Sequence, residues 1–159
     1  MRRDDTVETI IGGIGGPAFP ALAGAAVARA LGFDQSVVIV HYPDRRPGLL
    51  HDDLDALGGR GGLKNYLAAT HRLNPMMAAG GDHAYRARDF AVRDIAIRPE
   101  GFEGALLAPD PSEELGFRTE GWPRGLEEVG VVFRALGGRV ELSCYRSRGR
   151  RRNPCPRPG

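Results

Sequence analysis

The clearest hydrophobic pattern in the chain is the alternation of apolar and polar residues over positions 126–136 and 139–145. Such alternation is typical of strands that bury one face, and Gly137-Gly138 between the runs predicts a hairpin with a two-residue turn. Residue 136 then faces 139, and Arg134 lies opposite Glu141 on a mixed face. The other face is wholly apolar and is expected in the core; it holds Val131, Phe133, Ala135, Val140, Leu142 and Cys144. Cys144 is therefore predicted to be a buried structural thiol rather than a nucleophile.

The first half of the chain is predicted to form two helices and then two paired strands. Residues 3–11 form the first helix, and the glycines of 12–16 end it. Pro17 starts a second helix of mostly small residues, which ends at Gly32. The β-branched run 36–42 predicts a strand, and 49–51 return as its partner.

The middle of the chain predicts a helix over 63–73, because its apolar residues share one helical face. Asn74 precedes Pro75 and therefore ends that helix, and 76–79 form a short turn. A short strand is predicted at 84–86, a loop at 99–111, and a short helix capped by Ser112.

Length and composition indicate one domain of ordinary size, with 159 residues of which 42% are hydrophobic. No apolar run is long enough to span a membrane. Export is not favoured, because Asp4, Asp5 and Glu8 stand where a signal peptide is positive and prolines interrupt its apolar core. Two cysteines form neither a disulfide framework nor a zinc motif. We therefore expect a cytoplasmic protein without membrane contact.

Positive charge is concentrated at the C-terminus. Residues 146–159 contain six arginines and no acid; removing these six charges from the net +2 leaves −4 on residues 1–145. An Arg-rich tail can bind nucleic acid, but the absence of aromatic residues favours a solvated, disordered segment. Both readings of 147–159 stay open at this stage.

A second candidate binding site is the turn Gly13-x-Gly15-x-x-Ala18, which fits a dinucleotide-binding fingerprint. It is followed by a helix and by a strand that ends near Asp44. That reading, a nucleotide-dependent enzyme, requires a strand before the glycines, and residues 6–11 could supply it. Pro17 removes one backbone N–H that would hold phosphate, and the chain ends in an antiparallel hairpin. The fingerprint is thus the alternative rather than the preferred interpretation.

No arrangement of residues indicates catalysis or a resident metal. The four histidines lack ligand spacing, and the best local cluster, His51 with Asp52 and Asp53, is equally explained by an exposed polar loop. No serine lies in a nucleophile elbow. We expect neither an enzyme, nor a cofactor, nor a metal site.

A small-molecule pocket is the remaining possibility. Several large side chains are expected around polar points at Thr70 and Asn74, as in an apolar cavity with a few directed polar groups. The predicted ligand-binding residues are Tyr66, Thr70, Asn74, Met76, Trp122 and Tyr145, with Met77 beside them. Ordinary core packing is the competing explanation for each of them.

Several stretches, in order, resemble the N-terminal sensor domain of LuxR-type helix-turn-helix transcriptional regulators. They are IGGIGGPAFPAL (11–22), GFDQSVVIVHYP (32–43), NYLAATHRLNPMMAA (65–79), RARDFA (86–91) and EELGFRTEGWPRGLEEVGVVFRALGGRVELSCYR (113–146). The resemblance implies an α/β sandwich similar to GAF and PAS domains, with a central antiparallel sheet, helices on both sides and a ligand pocket between them.

The resemblance also implies ligand contacts for Tyr66 and for Asn74-Pro75, where the family's autoinducer-binding branch has Asp-Pro. Gly62 stands where that branch has a tryptophan, which argues against an acyl-homoserine lactone as the ligand. We expect a sensor domain over 1–146 and an Arg/Pro-rich disordered tail over 147–159.

Because 147–159 cannot form the family's DNA-binding domain, the sequence predicts a stand-alone or truncated sensor that does not itself read DNA sequence. Its expected partners are an unknown small molecule and, through dimerisation, a second copy or an intact regulator.

Overall fold

The computed structural model describes residues 3–92 and 107–149, which form an antiparallel five-stranded sheet with helices on both faces. The strands follow the order β2-β1-β7-β6-β3. The helices are α1 (Arg3–Gly13), α2 (Phe19–Leu31), α3 (Arg60–Ala68) and α4 (Pro75–Ala78). The sheet contains β1 (Gln35–His41), β2 (Gly48–Asp52), β3 (His83–Arg86), β6 (Leu126–Ala135) and β7 (Gly138–Ser147), while β4 (Leu107–Pro109) pairs with β5 (Phe117–Thr119) separately. The predicted α/β architecture is confirmed.

Helix α2 covers one face of the sheet through small side chains. Ala28 packs with Val38 and Val40 of β1 and with Val140 and Leu142 of β7. Gly24 lies so close to the sheet that an added Cβ would come within 2.7 Å of Ser36 Oγ. Gly32 ends the helix in the left-handed conformation, as the sequence predicted.

The opposite face of the sheet packs against α3 and the segments that follow it. Val37 and Ile39 of β1, together with Tyr145 of β7, form a second core with Leu63 of α3 and Leu54. Alternate residues of each central strand thus serve two different cores.

The β6–β7 hairpin has the predicted faces but a different register. Ala135 pairs with Gly138, so the turn residues are Leu136 and Gly137, both with positive φ. Residue 138 lies inside the strand and must be glycine, because an added Cβ would come within 2.2 Å of the His41 carbonyl oxygen. The predicted pair of Arg134 with Glu141 is wrong: Arg134 pairs with Arg139, and Glu141 pairs with Val132.

Other elements differ from the sequence prediction at their boundaries. The helix predicted over 63–73 divides at Ala69 into α3 and a 3₁₀ turn, Thr70–Leu73. Ser112 starts no helix; its backbone N–H donates to the Asp110 carboxylate in a turn. The short strand β4 lies within the predicted 99–111 loop, and β5 follows the segment that was predicted as a short helix. Residues 99–106 of the predicted loop, and the tail from residue 150, lie outside the described residues.

Within residues 3–92 and 107–149, no helix has the length and apolar character needed to cross a bilayer.

Candidate ligand-binding site

A cavity of about 130 Å³ lies between the sheet and the α3–α4 layer. Apolar side chains form most of its wall: Val37, Ile39, Leu63, Leu73, Met76, Ala87, Leu115, Phe117, Trp122, Pro123, Leu126. The charged groups of the wall lie on the sheet side and around β5: Glu113, Glu114, Arg118, Glu128, Glu141. An apolar space with a few directed polar groups suits a small organic molecule.

Asn74 connects the helical layer to the sheet. Its Oδ1 accepts hydrogen bonds from the backbone N–H groups of Met76 and Met77 and so caps α4. Its Nδ2 donates to the Tyr66 hydroxyl over 2.7 Å and to Glu141 Oε1 over 3.2 Å. All these polar atoms of Asn74 are therefore occupied by the protein itself.

Glu141 is the polar centre of the cavity floor and is 3% exposed. Its Oε2 accepts from the Tyr66 hydroxyl over 2.8 Å and lies 2.6 Å from Nε2 of His41. Its Oε1 accepts from Asn74 and from the Ser143 hydroxyl, the latter over 3.1 Å. A buried carboxylate is stable only with such partners, and here four donors surround it.

A second carboxyl, that of the partly buried Glu128 of β6, belongs to the same hydrogen-bond chain. Its Oε1 accepts from the Tyr85 hydroxyl over 2.9 Å, and that hydroxyl lies 2.7 Å from Ser143 Oγ, which in turn bonds Glu141. Removal from water, and after it the nearby Glu141, raise the pKa of Glu128 to about 8. At neutral pH the Glu128 carboxyl is thus mostly protonated.

Gly130 permits this chain to form. An added Cβ at Gly130 would come within 2.5 Å of the Tyr85 hydroxyl oxygen and 2.6 Å of Tyr85 Cζ. The missing side chain leaves room for the Tyr85 ring to cross β6 and reach Glu128 and Ser143.

Trp122 forms the aromatic wall of the cavity. Its indole stacks on the Tyr145 ring, with centroids 5.7 Å apart and planes at 27°. The indole lies against Gly62 of α3, where an added Cβ would come within 2.6 Å of it. The indole of Trp122 therefore occupies the space that a side chain at position 62 would need.

Thr70 is the polar group of the cavity that lacks a partner. The residue is 3% exposed, and its Oγ1 makes no hydrogen bond within the described part of the chain. An unmade hydrogen bond of this kind costs about 1–3 kcal/mol, so a ligand able to complete it gains that energy on binding.

Charged side chains also reach the cavity from the segment before β5. Glu113 binds the backbone N–H of Gly125 and pairs with Arg148, while Glu114 accepts from the backbone N–H of Glu128. Burial raises the pKa of Glu114 above its ordinary value. Arg118 is the one arginine in the described wall, and it forms no ion pair there.

All six residues predicted from the sequence to bind a ligand line this one cavity: Tyr66, Thr70, Asn74, Met76, Trp122, Tyr145. Their contact with a ligand stays a prediction. Met77, predicted beside them, packs against the neighbouring cluster of Met76 and Tyr85.

The carboxyl network is absent from the sequence prediction, which pairs Glu141 with Arg134 and does not single out Glu128, Tyr85 or His41. The signal that points to it is the polar series Glu128, Glu141, Ser143 on the mixed face of the two hairpin strands. Buried polar residues need partners, so such a series indicates an internal site.

The other candidates do not form sites in the structure. The dinucleotide alternative is wrong in its premise, because the residues before the glycines form helix α1, which runs through Gly13, and not a strand.

His51 lies half-buried in β2, not in an exposed loop, with its Nε2 3.9 Å from Asp53 Oδ2. No group of His, Cys, Asp and Glu suited to a metal occurs among residues 3–92 and 107–149. Cys144 is buried, as predicted, and burial raises the pKa of its thiol to about 12.

An antiparallel sheet between two helical layers, with a cavity under one of them, is consistent with a ligand-binding α/β domain. The fold is similar to that of the VqsR LBD domain from Pseudomonas aeruginosa, known from a crystal structure, with a TM-score of 0.53 and 12% sequence identity over 92% of this chain and 80% of that one. The resemblance seen in the sequence is therefore confirmed at the level of the fold, which this chain shares with that LBD domain, without singling out GAF or PAS domains. No protein-family model and no curated protein matches the sequence.

Proposed function

We propose that this chain is a non-enzymatic, GAF/PAS-like sensing domain of the LuxR-regulator type, which binds a small organic molecule in the cavity between the sheet and α3–α4. The observation that carries the proposal is the unpartnered Thr70 hydroxyl inside an apolar cavity. The likeness in fold to a ligand-binding domain supports it. Tyr66, Met76, Trp122 and Tyr145 shape the site, and Asn74 holds it together.

The polar groups of the cavity support binding rather than catalysis. Glu141 is held by four donors and has no free lone pair directed at a substrate proton. The Cys144 thiol, with its pKa raised to about 12, is not a thiolate at neutral pH. Both groups suit a fixed receptor surface better than a reacting centre.

The test is a titration of the intact chain with a panel of small apolar, cationic, neutral polar and anionic compounds. Trp122 is the only tryptophan and lines the cavity, so its emission reports binding directly. We expect a saturable change in emission for members of one chemical class. The absence of a saturable response to every class contradicts the proposal.

Thr70→Val sharpens this test, because it replaces the unpartnered hydroxyl by a methyl group of similar size. We expect the empty protein to become more stable by about 1 kcal/mol, since a buried unsatisfied group is removed, while the affinity for the bound class falls about 5–30-fold. Thr9→Val is the matched control: the Thr9 hydroxyl bonds Asp5 O on exposed α1. Loss of affinity in both variants, or in neither, speaks against the site.

Dimerisation with a second copy or with an intact regulator is the proposed mode of action, in the cytoplasm and without direct reading of DNA sequence by this chain. Val7 and Ile11 of α1, and Ile14 just after it, are more than half exposed, and such a surface favours an apolar partner. Light scattering over a dilution series, with and without ligand, measures the self-association. A monomer at every concentration contradicts the homodimer.

A further inference from the structure

The hydrogen-bond chain on the cavity floor contains two carboxyl groups and one partner able to carry positive charge. Glu128 and Glu141 are joined through the Tyr85 and Ser143 hydroxyls. Of these two carboxyls, His41 contacts only that of Glu141. Within the described part of the chain, Glu128 has no ion-pair partner, although Arg118 lines the same cavity. One negative charge of this pair therefore remains uncompensated whenever both carboxyls are ionised.

Glu128 avoids this uncompensated charge by keeping its proton. The groups that face Glu128 are Glu141 and Tyr145 on β7, Tyr85 on β3 and Glu114 before β5, and none of them carries positive charge. Burial and the neighbouring Glu141 keep the pKa of Glu128 at about 8. A cation entering the cavity would take the place of that proton.

The aromatic wall suits the same kind of ligand. The stacked rings of Trp122 and Tyr145 and the ring of Tyr66 line the cavity beside Glu128 and Glu141. Aromatic faces attract ammonium groups, most strongly where water is excluded. Carboxyl groups and aromatic faces around one apolar space form a site for an organic cation.

The Thr70 hydroxyl is an independent indication that the cavity takes a polar ligand. It is buried, lines the same cavity and has no partner among the described residues. A hydroxyl can accept a hydrogen bond from an ammonium N–H, as well as donate one.

We infer that the ligand of this cavity is a small organic amine, bound in its protonated form between Glu128, the Thr70 hydroxyl and the Trp122–Tyr145 wall. This inference rests on the proposed function and names the chemical class that the site takes. A cavity of about 130 Å³ limits the enclosed apolar part of the ligand to roughly one small ring, since a cavity of about 150 Å³ accepts benzene.

Three probes of nearly equal size and different charge test the inference on the intact chain: 2-phenylethylamine, 2-phenylethanol and phenylacetate. Trp122 emission and calorimetry give the affinities. At about pH 8 we expect the amine to bind at least roughly tenfold more tightly than the alcohol, and phenylacetate to bind least, because buried like charges repel. An alcohol that binds as tightly as the amine overturns the inference.

The pH dependence of the amine supplies a second readout on the unaltered protein. Glu128 must lose its proton to pair with the amine, so affinity should rise by up to about tenfold per pH unit between about pH 6 and pH 8. The amine stays protonated over this range, since alkyl amines titrate near the lysine pKa. Binding at pH 7 should release a proton to the buffer. An affinity independent of pH overturns the inference.

Glu128→Gln and Glu127→Gln form a matched pair of neighbouring variants. Glu128→Gln should lower amine affinity about tenfold or more, leave the alcohol nearly unchanged and flatten the pH profile. Glu127 pairs with Arg146, and its backbone position in β6 points it to the other face of the sheet, so Glu127→Gln should bind the amine as the parent does. Equal amine affinities in the parent and Glu128→Gln overturn the inference.

Different results would contradict the proposed sensing function and the inference of an amine ligand. If none of the three probes binds but another class in the wider panel does, the amine inference is wrong and the sensing function stands. If no compound of any class binds, both are wrong.

Discussion

The Nδ2 of Asn74 donates a hydrogen bond to the hydroxyl oxygen of Tyr66 over 2.7 Å, and that hydroxyl donates to Glu141 over 2.8 Å. The Asn74 amide thus supports the hydrogen bond between Tyr66 and Glu141, and its N–H groups are not free to bind a ligand. The sequence resemblance implied direct ligand contact for Asn74. The geometry favours a structural role for it and leaves the open polar contact to Thr70.

Asn74→Asp separates the two functions of this amide. The carboxylate keeps the cap of α4 but loses both Nδ2 donations and faces Glu141. We expect a loss of about 2–4 kcal/mol in the free energy of unfolding at neutral pH. Asn65→Asp is the control, because the Asn65 amide donates to Glu120 O on the surface, and a loss below about 1 kcal/mol is expected there.

The Asn74→Asp penalty should also depend on pH. A carboxyl facing Glu141 has its folded-state pKa raised, so the folded protein holds a proton that the unfolded chain releases. The penalty is therefore small below the unfolded pKa of about 4 and grows as the pH rises. Urea unfolding at several pH values measures it, and a penalty equal at acid and neutral pH contradicts the explanation.

Glu128→Gln should stabilise the protein increasingly as the pH rises. The folded-state pKa of Glu128 is raised to about 8, above that of an unfolded glutamate, so the folded state of the parent binds the extra proton. The parent thus loses stability from about pH 4 to pH 8, and the variant does not share this loss. The difference between their unfolding free energies isolates Glu128, because the other titrating groups are common to both. A constant difference across this range would be the contrary result.

Gly62→Ala should displace Trp122. The new Cβ would lie 2.6 Å from the indole, and overpacking of this kind costs about 1–3 kcal/mol, against a gain of up to about 1 kcal/mol in helix propensity. We expect a net loss of stability and an emission shifted to longer wavelength. Gly61→Ala is the control: its Cβ meets only ordinary contacts at 3.6 Å or more, so the helix gain should appear unopposed. Equal effects at the two positions would show that the indole does not fill this space.

Leu136→Asn should stabilise the β6–β7 hairpin. Leu136 has φ +57° in the turn and is 66% exposed, so it gains little from burial and bears the cost of the left-handed conformation. Asparagine tolerates this conformation, and Asn-Gly is the favoured pair for such a turn. We expect a gain of about 0.5–1 kcal/mol by thermal or urea unfolding, and no comparable gain for Leu136→Ala.

The elements of the fold could be predicted because their local signals agree with their packing. The small residues before Gly32 form α2, and the β-branched run after it forms β1, both within about two residues. The hairpin faces were right despite the wrong register, since a shift of two residues preserves the side-chain alternation. The register itself depended on the His41 carbonyl beside Gly138, a contact across 97 positions that no local pattern contains.

The cavity residues of α3 and the following turn were predictable because they lie close together in sequence. Tyr66, Thr70 and Asn74 fall at helical spacing, and Pro75 fixes the end of the segment. The carboxyl network was not predictable in the same way, because its members come from β1, β3, β6 and β7. Its assembly depends on Gly130, whose missing side chain admits Tyr85, and a glycine in a strand has several possible reasons.

Asn74 also has a mechanical consequence. One side chain holds the first turn of α4 by its oxygen and the centre of β7 by its nitrogen. The floor and the roof of the cavity are thus joined at both ends of α4, because Arg139 of β7 also donates hydrogen bonds to the carbonyl oxygens of Met77 and Ala79. Asn74 holds the first turn of α4 against the sheet, and Arg139 holds its last residues there.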